Sequence, residues 1–230
     1  MSTENRWLLP EGIDELLPER AGQLEALRRR LLDQCATWGY RYVIPPLVEF
    51  TASLLSGLGA GLDAVTCKFA DQMSGRMLGV RADVTPRAAR MDAHSWAEEG
   101  VTRLCYAGST LQSTPQSVIS GRAPVQVGAE LFGSNAIEAD SEIIGLMLST
   151  FECAGVSRPL TLDIGHIGIY DALFSDAGLE PEVETQVFDA LQRKSVPDIE
   201  RLSASLPERE AERLARLVSL HGSPDVLASA

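Results

Sequence analysis

Apolar residues at positions 24, 27, 31, 35 and 38 (Leu24, Leu27, Leu31, Cys35, Trp38) recur at spacings of three and four. That spacing lays them along one stripe of a helix. Gly39 follows immediately, a residue suited to closing such a helix. The next stretch, YRYVIPPLVEF, is expected to be extended, because Pro45 and Pro46 exclude a helix interior and push their neighbours toward β geometry. SLLSGLGAGLDAVT then reads as a glycine-rich connection.

Period-two patterns take over from there. CKFADQMSGRMLGVRADVT predicts a hairpin turning at Ser74-Gly75. In its second arm Val80, Ala82 and Val84 face one way, and Arg81, Asp83 and Thr85 the other. PRAARMDAHSWAEEG predicts a helix opened by Pro86. RLCYAGSTL and VQVGAELFG predict two strands joined by the polar QSTPQSVISGRAP. In the latter strand Val125, Val127, Ala129 and Leu131 share one face, and Gln126, Gly128, Glu130 and Phe132 the other. A helix, IEADSEIIGLMLSTFECAG, and a short strand, LTLDIG, complete this part. The remainder is helical in pattern: IYDALFSDAG, PEVETQVFDALQRK, DIERLSASL and EREAERLARLVSLHG. About five strands interleaved with helices, followed by a helical block, predict an α+β fold with a largely antiparallel sheet. The expected division is a core over residues 1–168 and a helical segment over 169–230.

Composition narrows the function. A net charge of −12 disfavours a protein that grips a phosphate backbone, which ordinarily shows a basic patch. The tightest basic cluster, Arg28-Arg29-Arg30, lies on a helix pattern and reads as a solvated face. No apolar run approaches the length that spans a bilayer, and the N-terminus lacks a secretory pattern. The expected location is therefore the cytoplasm, without nucleic acid or membrane as partner. Cys35, Cys67, Cys105 and Cys153 are scattered, which argues against a metal site and for small buried side chains. His94, His166 and His221 stand without partners at ligand or triad spacing and read as structural. No serine sits in a nucleophile-elbow setting. Glu138, Asp140 and Glu142 read as favourable charges at a helix N-terminus.

The polar strand faces hold the candidate chemistry. If they share one side of the sheet, Asp83, Thr85, Gln126 and Glu130 converge, with Gly128 leaving space between its neighbours. Two carboxylates with an amide and a hydroxyl suit a small cationic ligand, such as an ammonium or an imidazole N–H. Two plainer readings stand beside this one: a solvated sheet face, or a buried ion pair of Arg81 with one carboxylate.

These residues carry a family resemblance. GYRYVIPPLVEF resembles motif 1 of class II aminoacyl-tRNA synthetases, the element that carries their dimer interface. RLCYAGSTLQSTPQSVISGRAPVQVGAELFG resembles motif 2, and VRADVTPRAAR resembles the segment preceding it in histidyl-tRNA synthetases. In that enzyme the matching positions hold the substrate histidine. The resemblance thus implies a histidine pocket at Asp83, Thr85, Gln126 and Glu130, on a class II synthetase-like antiparallel sheet flanked by helices.

The motif 2 turn departs from the synthetase pattern. Where a synthetase reads Phe-Arg-x-Glu, this chain reads Leu111-Gln112-Ser113-Thr114. Gln112 and Arg122 mark this degenerate turn. Loss of the arginine removes the cation that meets charge developing on the ATP phosphate, so adenylation is expected to fail. NRWLLPEGIDELLP, DQMSGRMLGVRADVTPRAARMDAH, VTRLCYAGSTL and LDIGHIGIYDAL resemble the regulatory subunits of ATP phosphoribosyltransferase. That resemblance implies a subunit with no catalytic residues and no cofactor. It implies a dimer through the motif 1-like region, and assembly with the short form of the catalytic subunit. It further implies activation of that subunit and feedback inhibition by histidine, at the first step of histidine biosynthesis. The alternatives are a divergent histidyl-tRNA synthetase or amino acid-adenylating enzyme, and a scaffold that binds only protein. Synthetase-like members carry further strands after the helical block; none is evident before Ala230, so the chain is expected to end before the remaining core strands.

Overall fold

The computed structural model describes residues 6–54, 60–96, 98–115, 117, 120–174, 180–204, 206–223 and 225–226. The chain divides into two compact units, 1–158 and 159–230; the expected division at 168/169 falls inside the second.

In the first unit, helix α1 (Pro18–Thr37) is the predicted stripe. Gly39, at φ 84°, closes it. Its N–H bonds the Ala36 carbonyl, and the Tyr40 N–H reaches back to Cys35, the paired bonds of a Schellman motif. The proline-bearing segment is extended as expected and splits into β1 (Arg41–Tyr42) and β2 (Val48–Phe50). The glycine-rich connection is more helical than its composition suggests, with α2 (Thr51–Leu54) and α3 (Ala60–Val65); residues 55–59 lie outside the described set. The hairpin is present as β3 (Lys68–Ala70) and β4 (Met77–Val80).

One expectation fails next. The alternation read through Thr85 stops at Val80, and Thr85 already begins helix α4 (Thr85–Arg90). Asp83 explains the change: its Oδ1 accepts the Thr85 N–H at 3.0 Å, a turn-forming bond two residues along the chain that competes with a strand ladder. The helix predicted after Pro86 runs on as a π-helical turn, Met91–Trp96.

The strands β5 (Thr102–Ser109) and β6 (Val125–Phe132) pair antiparallel along their full lengths. The sheet is not single. Among the described residues there are two of three strands each, ordered β1-β5-β6 and β2-β4-β3; β1 joins β5 in parallel, and the other ladders are antiparallel.

The β1-β5-β6 sheet is covered on both faces. On one, Cys105 and Ala129 pack with Cys35, Tyr40 and Leu146, the last from α5 (Ile137–Cys153). On the other, Leu104, Tyr106 and Phe132 pack with Val43, Val84, Ala88 and Met91. Every residue of β6 is half-buried, so the solvated-face reading of Gln126 and Glu130 does not hold: α4 and the turn before it lie against that face. Glu142, expected as a helix-terminus charge, instead takes both nitrogens of a fork from Arg103 at 2.7 Å and the Tyr40 hydroxyl at 2.9 Å.

The second unit contains α6 (Ile167–Phe174), α7 (Pro181–Gln192), α8 (Val196–Ser203) and α9 (Glu208–Ser219). Its core gathers Tyr170, Val187, Ala190, Ile199, Leu202, Leu214 and Val218. The predicted strand LTLDIG is irregular. No described strand lies in register with it, and Leu160, Leu162 and Ile164 are exposed; an extended segment without a ladder leaves its backbone to water.

Candidate functional site

Sequence reasoning singled out Asp83, Thr85, Gln126 and Glu130, and the structure brings all four together. They arrive by different routes. Gln126 and Glu130 stand two residues either side of Gly128 on one face of β6, whereas Asp83 and Thr85 come from the turn into α4. Gln126 joins the two elements. Its amide Nε2–H donates to Asp83 Oδ1 at 2.8 Å, and its Oε1 accepts the Val84 N–H at 2.9 Å.

The centre of the cluster is Tyr106, which the pattern of apolar and polar positions did not single out. Tyr106 of β5 lies opposite Gly128 of β6 in the ladder. A Cβ at 128 would overlap the phenol, so the space expected beside Gly128 is filled by this ring. The Tyr106 hydroxyl lies 3.1 Å from Glu130 Oε1 and 2.9 Å from Thr85 Oγ1. A phenol has one proton to give. With that proton on the Glu130 carboxylate, Thr85 is the donor to Tyr106, and the direction runs Thr85 to Tyr106 to Glu130. A glycine within a strand marks a place where another group approaches closely, and that was the available signal for Tyr106.

Arg81 does not pair with either carboxylate. It is buried, and its guanidinium donates to the Ser109 carbonyl at 2.9 Å, to Pro45 at 2.6 Å and to Pro46 at 3.4 Å. It lies over Gly108, where a Cβ would overlap it. Burial holds its pKa below the usual arginine value. The ion-pair reading of Arg81 is thereby replaced by a backbone clamp that ties β5 to the proline segment.

The cluster is consequently rich in negative charge. Among the described residues no ion pair includes Asp83 or Glu130. Burial pushes the Glu130 carboxyl above the ordinary range and the Asp83 charge pushes the same way, while the hydrogen bond donated by Tyr106 opposes the rise. Burial likewise raises Tyr106, which keeps its hydroxyl protonated as a donor. Chemically, the site offers carboxylate and amide oxygens to a compact donor-rich cation.

The degenerate turn is built from neutral and backbone contacts. Gln112 is buried, with its side-chain amide directed at the Ala82 carbonyl at 3.4 Å. Its N–H donates to the Arg122 carbonyl at 2.8 Å, while Arg122 Nε donates to the Gln112 carbonyl at 2.9 Å. Arg122 also donates from Nη1 to Glu11 at 3.3 Å. Its guanidinium is thus held by main-chain oxygens. Among the described residues no group of three or more histidine, cysteine, aspartate or glutamate side chains is placed to hold a metal ion.

Comparison with known proteins gives a consistent answer. The family model described as histidyl-tRNA synthetase matches residues 12–230. The chain is 49% identical over 231 residues to the ATP phosphoribosyltransferase regulatory subunit of Marinobacter nauticus, covering 100% of this chain and 58% of that protein. It therefore spans less than two thirds of the length of this curated relative. Among solved structures, an ATP phosphoribosyltransferase regulatory subunit/histidyl-tRNA synthetase from Bacillus halodurans superposes with a TM-score of 0.83 at 26% identity, covering 100% of this chain and 60% of that one. A chain of the ATP phosphoribosyl transferase complex from Thermotoga maritima shares the fold, with a TM-score of 0.65 at 17% identity over 89% of this chain and 69% of that one.

Proposed function

The chain belongs to the histidyl-tRNA synthetase family and has its class II synthetase α+β fold, and from that premise we propose that it is the core of a regulatory subunit of ATP phosphoribosyltransferase. Its close relatives carry that name. In this reading the chain is not itself catalytic. It activates the short-form catalytic subunit and conveys feedback inhibition by histidine at the first step of histidine biosynthesis, in the cytoplasm. Among the described residues no helix is long and apolar enough to cross a membrane, which accords with a biosynthetic subunit.

The observation that carries the histidine part is the pair of half-buried carboxylates, Asp83 and Glu130, neither of which forms an ion pair among the described residues. A histidine α-ammonium or imidazole N–H supplies what they lack, and Gln126 and Thr85 add polar contacts. Regulation then requires linkage: histidine must favour one arrangement of the complex over another, and the enzyme's arrangement must alter histidine affinity by the same factor. Against adenylation stands Gln112, a neutral amide bound to the Ala82 carbonyl. It cannot supply the positive charge that phosphate attack requires. Dimerisation through the motif 1-like region is supported by the exposed Tyr42, Ile44 and Leu47 around β1 and its proline segment, apolar groups that a second copy would cover.

The test is the activity of a purified short-form catalytic subunit with and without this chain, each with and without histidine. The reading expects stimulation by the chain and its suppression by histidine. Histidine-dependent exchange of pyrophosphate into ATP is expected to be absent; its presence would transfer the chain to the adenylating enzymes.

A further inference from the structure

The α7 helix ends in a Schellman motif whose turning residue is Lys194. The Lys194 N–H donates to the Leu191 carbonyl at 3.0 Å and the Ser195 N–H to Ala190 at 2.9 Å. Helices α1 and α5 end with the same pair of bonds, and there the turning residues are glycines, Gly39 and Gly155. At φ 51° Lys194 is the sole non-glycine with positive φ among the described residues. A lysine gains nothing for the backbone in that conformation, and a side chain held at a cost points to a use for the side chain.

Lys194 stands on the rim of a cavity of about 430 Å³ built within the second unit. His166 and His221 share that rim, and Tyr170, Phe188 and Val218 form part of the lining. Tyr170, Phe188 and Val218 are buried or half-buried, and Lys194, His166 and His221 are exposed. Tyr170 and Phe188 meet edge to face, with centroids 5.5 Å apart. The chain has three histidines and two lysines in all, and this one cavity collects two of the former and one of the latter. Among the described residues no carboxylate lines it, in a protein of net charge −12. His166 is also oriented: its Nδ1 accepts the Gly168 N–H at 3.1 Å. The neutral ring then carries its proton on Nε2 as a donor.

We propose that this cavity binds a small organic anion, one with a planar apolar ring and a phosphate or carboxylate head. The ring rests against Tyr170 and Phe188, and the head meets the Lys194 ammonium and the His166 and His221 imidazoles. The size suits it, since ligand cavities begin at about 300 Å³ and combine an apolar lining with a few convergent polar groups. The site is separate from the Asp83–Glu130 cluster in residues and opposite in charge preference. It stands whether or not the regulatory reading does.

The three histidines provide the test, with His94 as an internal control. Imidazole resonances of the full chain are followed by NMR during titration with phenyl phosphate, benzoate, inorganic phosphate and benzyl alcohol. Saturable shifts of His166 and His221 with an aryl anion are expected, with His94 unmoved, weaker binding of inorganic phosphate, and no response to benzyl alcohol. Lys194→Gly removes the ammonium while relieving the backbone. It is expected to raise the unfolding temperature and weaken the aryl anion at least about tenfold, the size of one lost charge-assisted contact. Absence of shifts at His166 and His221, equal movement of His94, equal binding of benzyl alcohol, or unchanged affinity in a more stable Lys194→Gly would each overturn the proposal.

Discussion

Tyr106 of β5 sits directly across the ladder from Gly128 of β6, and its phenol fills the volume that a side chain at 128 would need. The fit positions the hydroxyl between Thr85 and Glu130. Gly128→Ala is therefore expected to destabilise the chain by about 1–3 kcal/mol, the usual cost of overpacking, measured by urea unfolding. Tyr106→Ala removes the whole ring, whose hydroxyl, Cζ and Cε2 all lie within 3 Å of the new methyl. In a double-mutant cycle the pair should cost less than the sum of the single changes; additive losses would mean that the ring does not occupy that space.

Glu130 should give stability a pH dependence of defined sign. Its folded-state pKa is raised, by burial first, so over the interval above its ordinary value the folded chain holds a proton that the unfolded chain has released. Stability from this group is undiminished at low pH. It falls as pH rises from the ordinary carboxylate value through the raised one, and the loss persists above. Glu130→Gln keeps an acceptor for Tyr106 and lacks the charge. Relative to wild type it should be progressively more stable as pH rises from 4 to neutrality, in unfolding curves taken across that range. A constant difference across the range would contradict the assignment.

Asp83 has two tasks that one substitution separates. Its Oδ1 accepts the Thr85 N–H and the Gln126 amide, and its charge is the part offered to a cation. Asp83→Asn keeps an oxygen for the turn and should leave stability within about 0.5 kcal/mol, whereas Asp83→Ala should lose about 1 kcal/mol with the turn bond. Histidine-induced stabilisation, read as a shift in unfolding temperature, should disappear in both. A normal histidine response in Asp83→Asn would remove Asp83 from the pocket.

Much of this was legible in the chain because local rules and global fold agree. The α1 stripe, its stop at Gly39, the hairpin and the β5-β6 pair follow from periodicity and turn chemistry that tertiary structure left undisturbed. Where the reading failed, a non-local or competing bond decided. Alternation alone carried the strand through Thr85, but the Asp83 side chain bonds its own backbone and turns the chain into α4. LTLDIG has strand composition and, among the described residues, no strand beside it. Tyr106 escaped because its meaning lies in the register that sets it against Gly128. Register is a property of two segments together. The cluster of four was found because the polar residues broke an apolar pattern, while Arg81 broke the same pattern for a different reason, to hold three carbonyls.

The last expectation concerns the ion pairs that fasten α4 to β2. Glu49 accepts from Arg87 at 2.7 Å and from Arg90 at 2.8 Å, and Arg87 also donates to the Leu54 carbonyl. Their exposures decide the outcome: the Arg87 and Glu49 side chains are 3% and 9% exposed, that of Arg90 30%. Breaking a buried pair costs about 3–5 kcal/mol, and without Arg87 the Glu49 carboxylate keeps only Arg90, on Oε1, and is left short of a donor at Oε2. A partly solvated pair contributes about 1 kcal/mol or less. Arg87→Met should therefore be severely destabilised and Arg90→Met only slightly, in the same urea titration. Adding Glu49→Leu to Arg87→Met removes that carboxylate and should recover much of the loss, because two apolar side chains can replace a buried pair at little cost. Failure to recover would show that the Leu54 carbonyl, left without its donor, accounts for the larger part.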